Sequence, residues 1–417
     1  MPTAGFRVAG LLLATLALPA AALAASADQT PIKIGVISEE ATIVGRPISQ
    51  GAELAAQDIN AKGGIDGRPI EIIVYDDHSS AADAVSAFQR AAQQDHVKAV
   101  VATFISEIAL AIEPWAARLH VPTITPVAAS NLISKQVHDN YDRYKYMFEG
   151  WLPSPLLAEV VCDSSHDILV GMLHMKTAAI VSEDAAWAAP LDDGYEKCLP
   201  DAGFELVDHI RFNPGTTDFT PIYKAVEAKH PDVIIAGWAR VGVQPTVEWH
   251  DRHVPIPLAG ISVQASNPAF WDATNGAADG VITEAGTVAG VALTPLTIPA
   301  GEAFVKKFAQ FPALSGFTAY DAVRALAGAM ERAKSTDPDK IVAALEQTDM
   351  EGTLGPHYEF YGRDAPYTHA LKYGRDYTTG IVMQWQGDKQ VCIWPRDICP
   401  AKLVFPSFLK VQQASAH

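Results

Sequence analysis

PIKIGVISEEATIVGRPISQGAELAAQDINAKGGIDGRPIEIIVYDDHSS, residues 31–80, decides the fold class. An apolar β-branched run (32–37) leads through a polar loop into a helical stretch (48–60). A glycine turn (Gly63, Gly64, Gly67) then gives way to a second β-branched run, 70–76. Strand, helix and strand in that order predict an α/β unit whose sheet is parallel and covered on both faces. Ligands of such sheets sit outside the carboxyl ends of the strands. The loop 38–46, which carries Glu39, Glu40 and Arg46, therefore points at a binding site.

Upstream, residues 1–25 hold a lone Arg7, the apolar stretch 8–18 and an exit of small residues ending Ala22-Leu23-Ala24. That is the order of a cleaved secretory signal peptide. The competing reading is a retained membrane anchor, which the short apolar core argues against. No later run reaches the roughly 18 apolar residues that a spanning helix needs. The expectation is an exported, periplasmic protein.

Downstream the pattern repeats. Helix 81–94, strand 97–103, helix 105–119 and strand 122–126 extend the first series. The aromatic run 144–151 followed by Pro153 and Pro155 marks a crossing to a second lobe. There, helix 156–171 precedes strand 177–182, helix 190–202, strand 204–212, helix 219–229 and strands 233–237 and 257–260. Strand 280–285 leads back; 295–299 reads as a loop and 319–334 as an amphipathic helix. The region 358–394 reads as strands and hairpins. The expected division is a signal peptide (1–25), a first lobe (31–148 and 286–355), a second lobe (149–285 and 356–406) and a tail (407–417).

Length and charge narrow the function classes. The 417 residues suffice for two domains with real cores. Net charge is −17 with no Lys/Arg cluster, which argues against a nucleic-acid partner. Four cysteines in an oxidising compartment suggest disulfides. Cys392–Cys399 would close a short loop and Cys162–Cys198 would join two helices; buried free thiols are the alternative for both. Motifs for a nucleophile elbow, a zinc protease or a phosphate loop are missing, and the 13 histidines are scattered. No catalysis, metal or cofactor is expected.

Several stretches carry a resemblance: DINAKGGIDGRPIEIIVYDD (58–77), VPTITPVAASN (121–131), NPGTTDFTPIYKAVEAKHPDVIIAG (213–237), FTAYDAVRALAGAMERA (317–333) and GTLGP (352–356). In this order they resemble the type I periplasmic binding proteins of ATP-binding-cassette importers, the leucine/isoleucine/valine-binding group. The resemblance implies two α/β lobes joined by three crossovers that close on a ligand, a monomer, and a membrane permease as partner. It also implies a small-molecule ligand: a branched-chain or other amino acid, an aromatic carboxylate, or a cationic amine. An extracellular sensor of the same fold is the alternative.

The resemblance places a ligand carboxylate at Ser106 and at Ala128, Ala129 and Ser130. A hydroxyl and free N–H groups at a helix start suit an anion, although Ser106 could equally serve as an N-cap. It places ligand-facing aromatics at Trp187 and Trp238, whose flat faces suit apolar or cationic groups. Trp151 and Tyr320 can reach the cleft or pack in the core. The departure is at LAGISVQ (258–264), where amino-acid-binding relatives carry an acid for the ligand's ammonium. This chain has Ser262. Either the ligand lacks that ammonium or another acid substitutes, with Glu39, Glu40, Glu107, Glu183 and Asp184 as candidates. Arg46 and Arg240 could clamp a ligand carboxylate.

Overall fold

The computed structural model describes residues 1–5, 30–409 and 411. Most of the expected signal peptide, residues 6–25, lies outside them. Among the described residues no helix is long and apolar enough to cross a membrane.

The first lobe is built from β1 (Ile32–Ser38), α1 (Arg46–Ala61), β2 (Ile70–Asp76), α2 (Ala81–Gln93), β3 (Ala99–Ala102), α3 (Ser106–Leu119), β4 (Thr123–Thr125), α4 (Leu132–Asp139), α5 (Tyr141–Tyr144) and β5 (Met147–Glu149). Its five strands run parallel in the order β2-β1-β3-β4-β5, with Val36 opposite both Val74 and Val101. Local chemistry sets the helix starts. Pro47 occupies the first turn of α1, where its missing N–H costs no bond. Ser80 caps α2 by accepting the Asp83 N–H at 3.3 Å.

The second lobe follows with α6 (Ser154–Ser164), which continues as a wider helical turn over Ser165–Val170, then β6 (Thr177–Glu183), α7 (Ala188–Ala202), β7 (Glu205–Phe212), α8 (Thr220–Glu227), β8 (Val233–Trp238), α9 (Gln244–Asp251), β9 (Leu258–Ser262), α10 (Phe270–Ala273) and β10 (Ile282–Ala285). The parallel sheet is ordered β7-β6-β8-β9. β10 stands beside β9, with the Ser262 N–H donating to Thr283 Oγ1 at 2.8 Å.

The chain then returns to the first lobe through α11 (Thr297–Phe308), α12 (Leu314–Ala333), α13 (Pro338–Leu345), β11 (Asp349–Met350) and β12 (Tyr358–Glu359). It ends in β13 (Ile381–Gln386) and β14 (Lys389–Trp394), which form an antiparallel sheet with β10 in the order β10-β13-β14. α12 crosses α1 so closely that a Cβ on Gly51 would lie 2.1 Å from the Gly316 carbonyl oxygen. Only glycine permits that approach.

Three details differ from the sequence expectation. Residues 295–299 are not all loop, because α11 begins at Thr297 and tolerates Pro299 in its first turn. The helix expected over 156–171 changes its hydrogen-bonding step after Ser164. Residues 358–371, expected in the second lobe, pack on the edge of the first sheet. The Leu371 N–H donates to the Glu149 carbonyl at 3.1 Å, and the His369 ring stacks on Phe148 at 3.9 Å. Residues 372–380 then carry the chain over to β13.

Two disulfides pin the second lobe. Cys162 joins Cys198 across α6 and α7 (Cα–Cα 5.8 Å), and Cys392 joins Cys399 (5.1 Å). One apolar cluster runs from the first lobe through the first crossover onto the α6/α7 face of the second sheet. A second fills the opposite face of that sheet around Trp238, Trp249 and Trp385.

Candidate functional site

The carboxyl ends of both parallel sheets converge on a small cavity between the lobes, about 30 Å³ in volume. Space on that scale admits about one water, so a larger ligand enters only when the lobes part. Phe104, Val127 and Ala129 form its first-lobe wall. Trp187, Ala239 and Ile261 form the facing wall, and Trp151 and Glu284 stand beside the crossovers. The lining is apolar apart from Glu284. A larger depression beside the Cys162–Cys198 disulfide, near Asp163, His166 and Trp394, lies away from the strand ends and opens widely to solvent.

The first-lobe wall owes its shape to a strained turn. Thr103, directly after β3, has φ +56°, a conformation that β-branched residues rarely adopt. Its hydroxyl accepts the Ile105 N–H at 3.0 Å, and its carbonyl accepts the Thr125 hydroxyl at 3.1 Å. The turn thereby delivers Phe104 to the cavity and starts α3 at Ser106. First-turn N–H groups of a helix have no intrahelical acceptor, so this end of α3 is suited to a carboxylate. Ser106 Oγ accepts the Ser130 N–H at 3.2 Å, which ties the β3 and β4 ends together.

The second-lobe wall hangs on Glu183, the last residue of β6. Its carboxylate accepts the Trp187 indole N–H at 2.9 Å and the backbone N–H groups of Arg240 and Val241 at 2.8 and 3.1 Å. One buried acid thus fixes the Trp187 ring and the loop that presents Ala239. Burial raises its proton affinity, against the pull of those donors.

The lobes touch directly around the cavity. Ser130 Oγ donates to the Ala186 carbonyl at 2.9 Å, and the Ala186 N–H donates to Glu107 Oε1 at 2.8 Å. Arg240 faces Glu107 at 3.8 Å, and Asn267 donates to the Ile43 carbonyl. This is a closed arrangement.

Of the residues singled out by sequence, Ala129, Trp151 and Trp187 line the cavity, and Ser106 and Ser130 adjoin it. Ala128 does not; it turns into a small cluster with Ile133 and Val137. Trp238 does not, because β8 runs one residue further than expected. Its ring joins the second-lobe core while its N–H donates to the Val181 carbonyl at 2.8 Å. Tyr320 donates to Asp58 at 2.8 Å and fastens α12 to α1. Ser262 keeps its backbone in the sheet and its hydroxyl on the Ala265 N–H, between the cavity-lining Ile261 and Val263.

The candidate acids sort differently too. Arg46 is exposed and donates to the Glu40 carbonyl at 3.0 Å, so it clamps nothing in the cavity. Glu40 accepts from Ser38 and Ser49 at 2.6 and 3.0 Å. Asp184 pairs with Arg211 at 3.1 Å. Glu39 is buried beneath the wall, where Thr103 donates to it at 3.0 Å. Burial and then the neighbouring Asp77 hold its proton affinity well above the usual range. Glu107 serves the closed contact.

Glu284, in the run VITEAG (281–286), is the residue that sequence reading missed. It is 4% exposed, and its Oε1 has no hydrogen-bond partner among the described residues. The periodicity of a four-residue strand does not say which face meets a cavity, and only the placement of β10 beside β9 aims it inward. Among the described residues no group of three or more metal-ligating side chains occurs.

Comparison with known proteins agrees with this architecture. Residues 31–375 match the family described as "Periplasmic binding protein". The Leu/Ile/Val-binding protein BraC3 of Rhizobium johnstonii is 26% identical over 330 residues, covering 78% of this chain and 85% of that protein. The isoleucine complex of LivJ from Streptococcus pneumoniae superposes with a TM-score of 0.74 at 23% identity, covering 87% and 98% of the two chains. A solute binding protein from R. palustris in complex with benzoate gives 0.72 at 18% identity, covering 91% and 99%. At these identities the structural likeness speaks to the fold.

Proposed function

Because the chain belongs to the periplasmic binding protein family, we propose that it is the solute receptor of an ATP-binding-cassette importer. It captures a small carboxylate with an apolar or aromatic body between its lobes and presents the closed form to a membrane permease. The observation that carries this reading is the interlobe cavity itself. Its walls are Phe104, Trp151, Trp187 and Ile261, and the start of α3 stands at one end. Aromatic rings supply large flat apolar faces, and the first-turn N–H groups of α3 with the Ser106 hydroxyl supply donors for a carboxylate. Relatives named for Leu/Ile/Val and a neighbour holding benzoate fit the same ligand outline.

Thermal-shift screening of the mature protein against amino acids and aromatic acids tests the reading. A ligand that binds only the folded state raises stability by about 2.7 kcal/mol at one hundred times its dissociation constant. The expected result is a melting point that climbs with concentration for members of one of these classes. A flat response to both classes at millimolar concentration would contradict it.

A further inference from the structure

We propose that Glu39 and Asp77 share a single proton, and that this carboxyl pair positions the first-lobe wall of the cavity through Thr103. This rests on the receptor reading above and adds the residues that hold the binding wall in place. β1 and β2 pair in parallel with Ser38 opposite Asp76. The Asp77 N–H donates to the Ser38 carbonyl at 3.2 Å, so Glu39 and Asp77 leave the two strand ends side by side. Both are buried, at 1% and 0% exposure, and their carboxyl groups meet.

Each acid has one oxygen in use. Glu39 Oε1 accepts the Thr103 hydroxyl at 3.0 Å, and Asp77 Oδ1 accepts the Ser79 N–H at 2.9 Å. Glu39 Oε2 and Asp77 Oδ2 have no donor among the described residues, and two buried carboxylates in contact would also repel each other. One proton between these two oxygens removes both costs, making one acid the donor and the other the acceptor. Glu113 and Glu149 also hold oxygens without a donor. What sets Glu39 apart is Thr103, which leads directly into Phe104 of the cavity wall. Thr103 keeps its left-handed backbone, φ +56°, only while its neighbours hold it there. Glu39 takes its hydroxyl proton, which leaves the hydroxyl oxygen turned to the Ile105 N–H at 3.0 Å. The pair thereby fixes Phe104 and the start of α3 at Ser106.

The electrostatic surroundings agree. Burial, then the charge of Asp77, pushes Glu39 up to about 8. Burial, against the pull of the Ser79 N–H, pushes Asp77 up to about 6. Asp76 and His78 act on Asp77 from its own strand end with opposite signs. Arg240, reaching over from the second lobe, lowers Glu39, while the adjacent Glu40 carboxylate is held by Ser38 and Ser49. Thr103 and Ser79 are uncharged. One proton is therefore held between about pH 6 and about pH 8. Below that window a second proton leaves the acids bonded to each other. Above it two carboxylates in contact repel, Glu39 moves off Asp77, and Thr103 loses its acceptor. The pair's contribution is complete at low pH and is lost as pH rises through about 8.

Amide exchange across residues 103–106 of the unliganded protein, corrected for the intrinsic rate, tests the pair. Calorimetry with L-leucine and with benzoate tests its effect on binding. Wild type should lose about tenfold in protection between pH 7 and pH 9. Asp77→Asn replaces the shared proton with an amide donor and should hold its protection level over that interval. Glu39→Gln does the same from the other side and serves if Asp77→Asn fails to fold. Level protection in wild type, or an equal fall in the amide variant, overturns the pair. For each probe that binds, the ratio of wild-type to amide-variant affinity should also fall about tenfold from pH 7 to pH 9. Taking the ratio cancels the titration of Glu284 and of the probe. A constant ratio would overturn the pair's hold on the cavity. Binding of neither probe contradicts the receptor reading, and the exchange result still decides the pair.

Discussion

Glu107 carries a hydrogen bond from one lobe to the other, and its strength decides how firmly the cleft stays shut. The bond to the Ala186 N–H is charge-assisted and half-buried, a class that contributes about 1.5–3 kcal/mol. The Arg240 pair at 3.8 Å is more exposed and is worth at most about 1 kcal/mol. Glu107→Ala should therefore weaken ligand affinity by about ten- to a hundredfold, and Arg240→Ala at most about fivefold, with the unliganded melting point little changed. Calorimetry on the two variants checks the order; equal affinities for Glu107→Ala and wild type would remove the latch. The cavity positions of Trp187 and Ala129 were legible from sequence because each follows a strand that the β-branched pattern marks clearly. Glu284 and Trp238 were not. Their roles turn on which way a side chain points at a strand end, and one residue of strand length reverses that.

At the scale of elements, the parallel strands were the plainest part of the sequence, since β3, β6 and β8 are apolar on both faces. α11 was hidden because Pro295 and Pro299 suggest a loop, yet proline in a first turn costs a helix nothing. The segment 358–371 was hidden because its attachment to β5 rests on backbone bonds and the Phe148–His369 stack rather than on any local pattern. The disulfides act at this scale as well. Cys162–Cys198 ties α6 to α7 across a separation of 36 residues, against 7 for Cys392–Cys399. Loop-closure entropy then assigns about 4 kcal/mol to the first and about 2.5 kcal/mol to the second. Replacing each pair with alanines should lower denaturant stability in that order. A larger loss from the 392/399 pair would show that native-state contacts, rather than chain entropy, set the effect.

For the whole molecule, the buried acids tie stability to pH. Burial raises Glu113 to about 9, and Glu149 and Glu284 to about 8. Glu149 adds a repulsive field to the Glu113 shift. A carboxyl whose proton is held more tightly in the folded state stabilises fully below its unfolded value near 4.5. That contribution is lost as pH rises through the folded value. The melting point should thus fall by several degrees between pH 6 and pH 9, and Glu113→Gln should flatten the curve. A melting point that rises over that interval would contradict the burial argument.

The two lobes, their three crossings and the apolar cavity between them serve one claim, that a small carboxylate is held against Ala129, Trp151 and Trp187. Ala129 is the place to test it, because its methyl group lies in the cavity wall and a ring there would fill the space. The decisive measurement is a calorimetric titration of wild type and Ala129→Phe with the ligand found by screening. The account predicts one site in the wild type and binding at least a hundredfold weaker in the folded variant. Equal affinity of the two proteins would place the ligand elsewhere and contradict it.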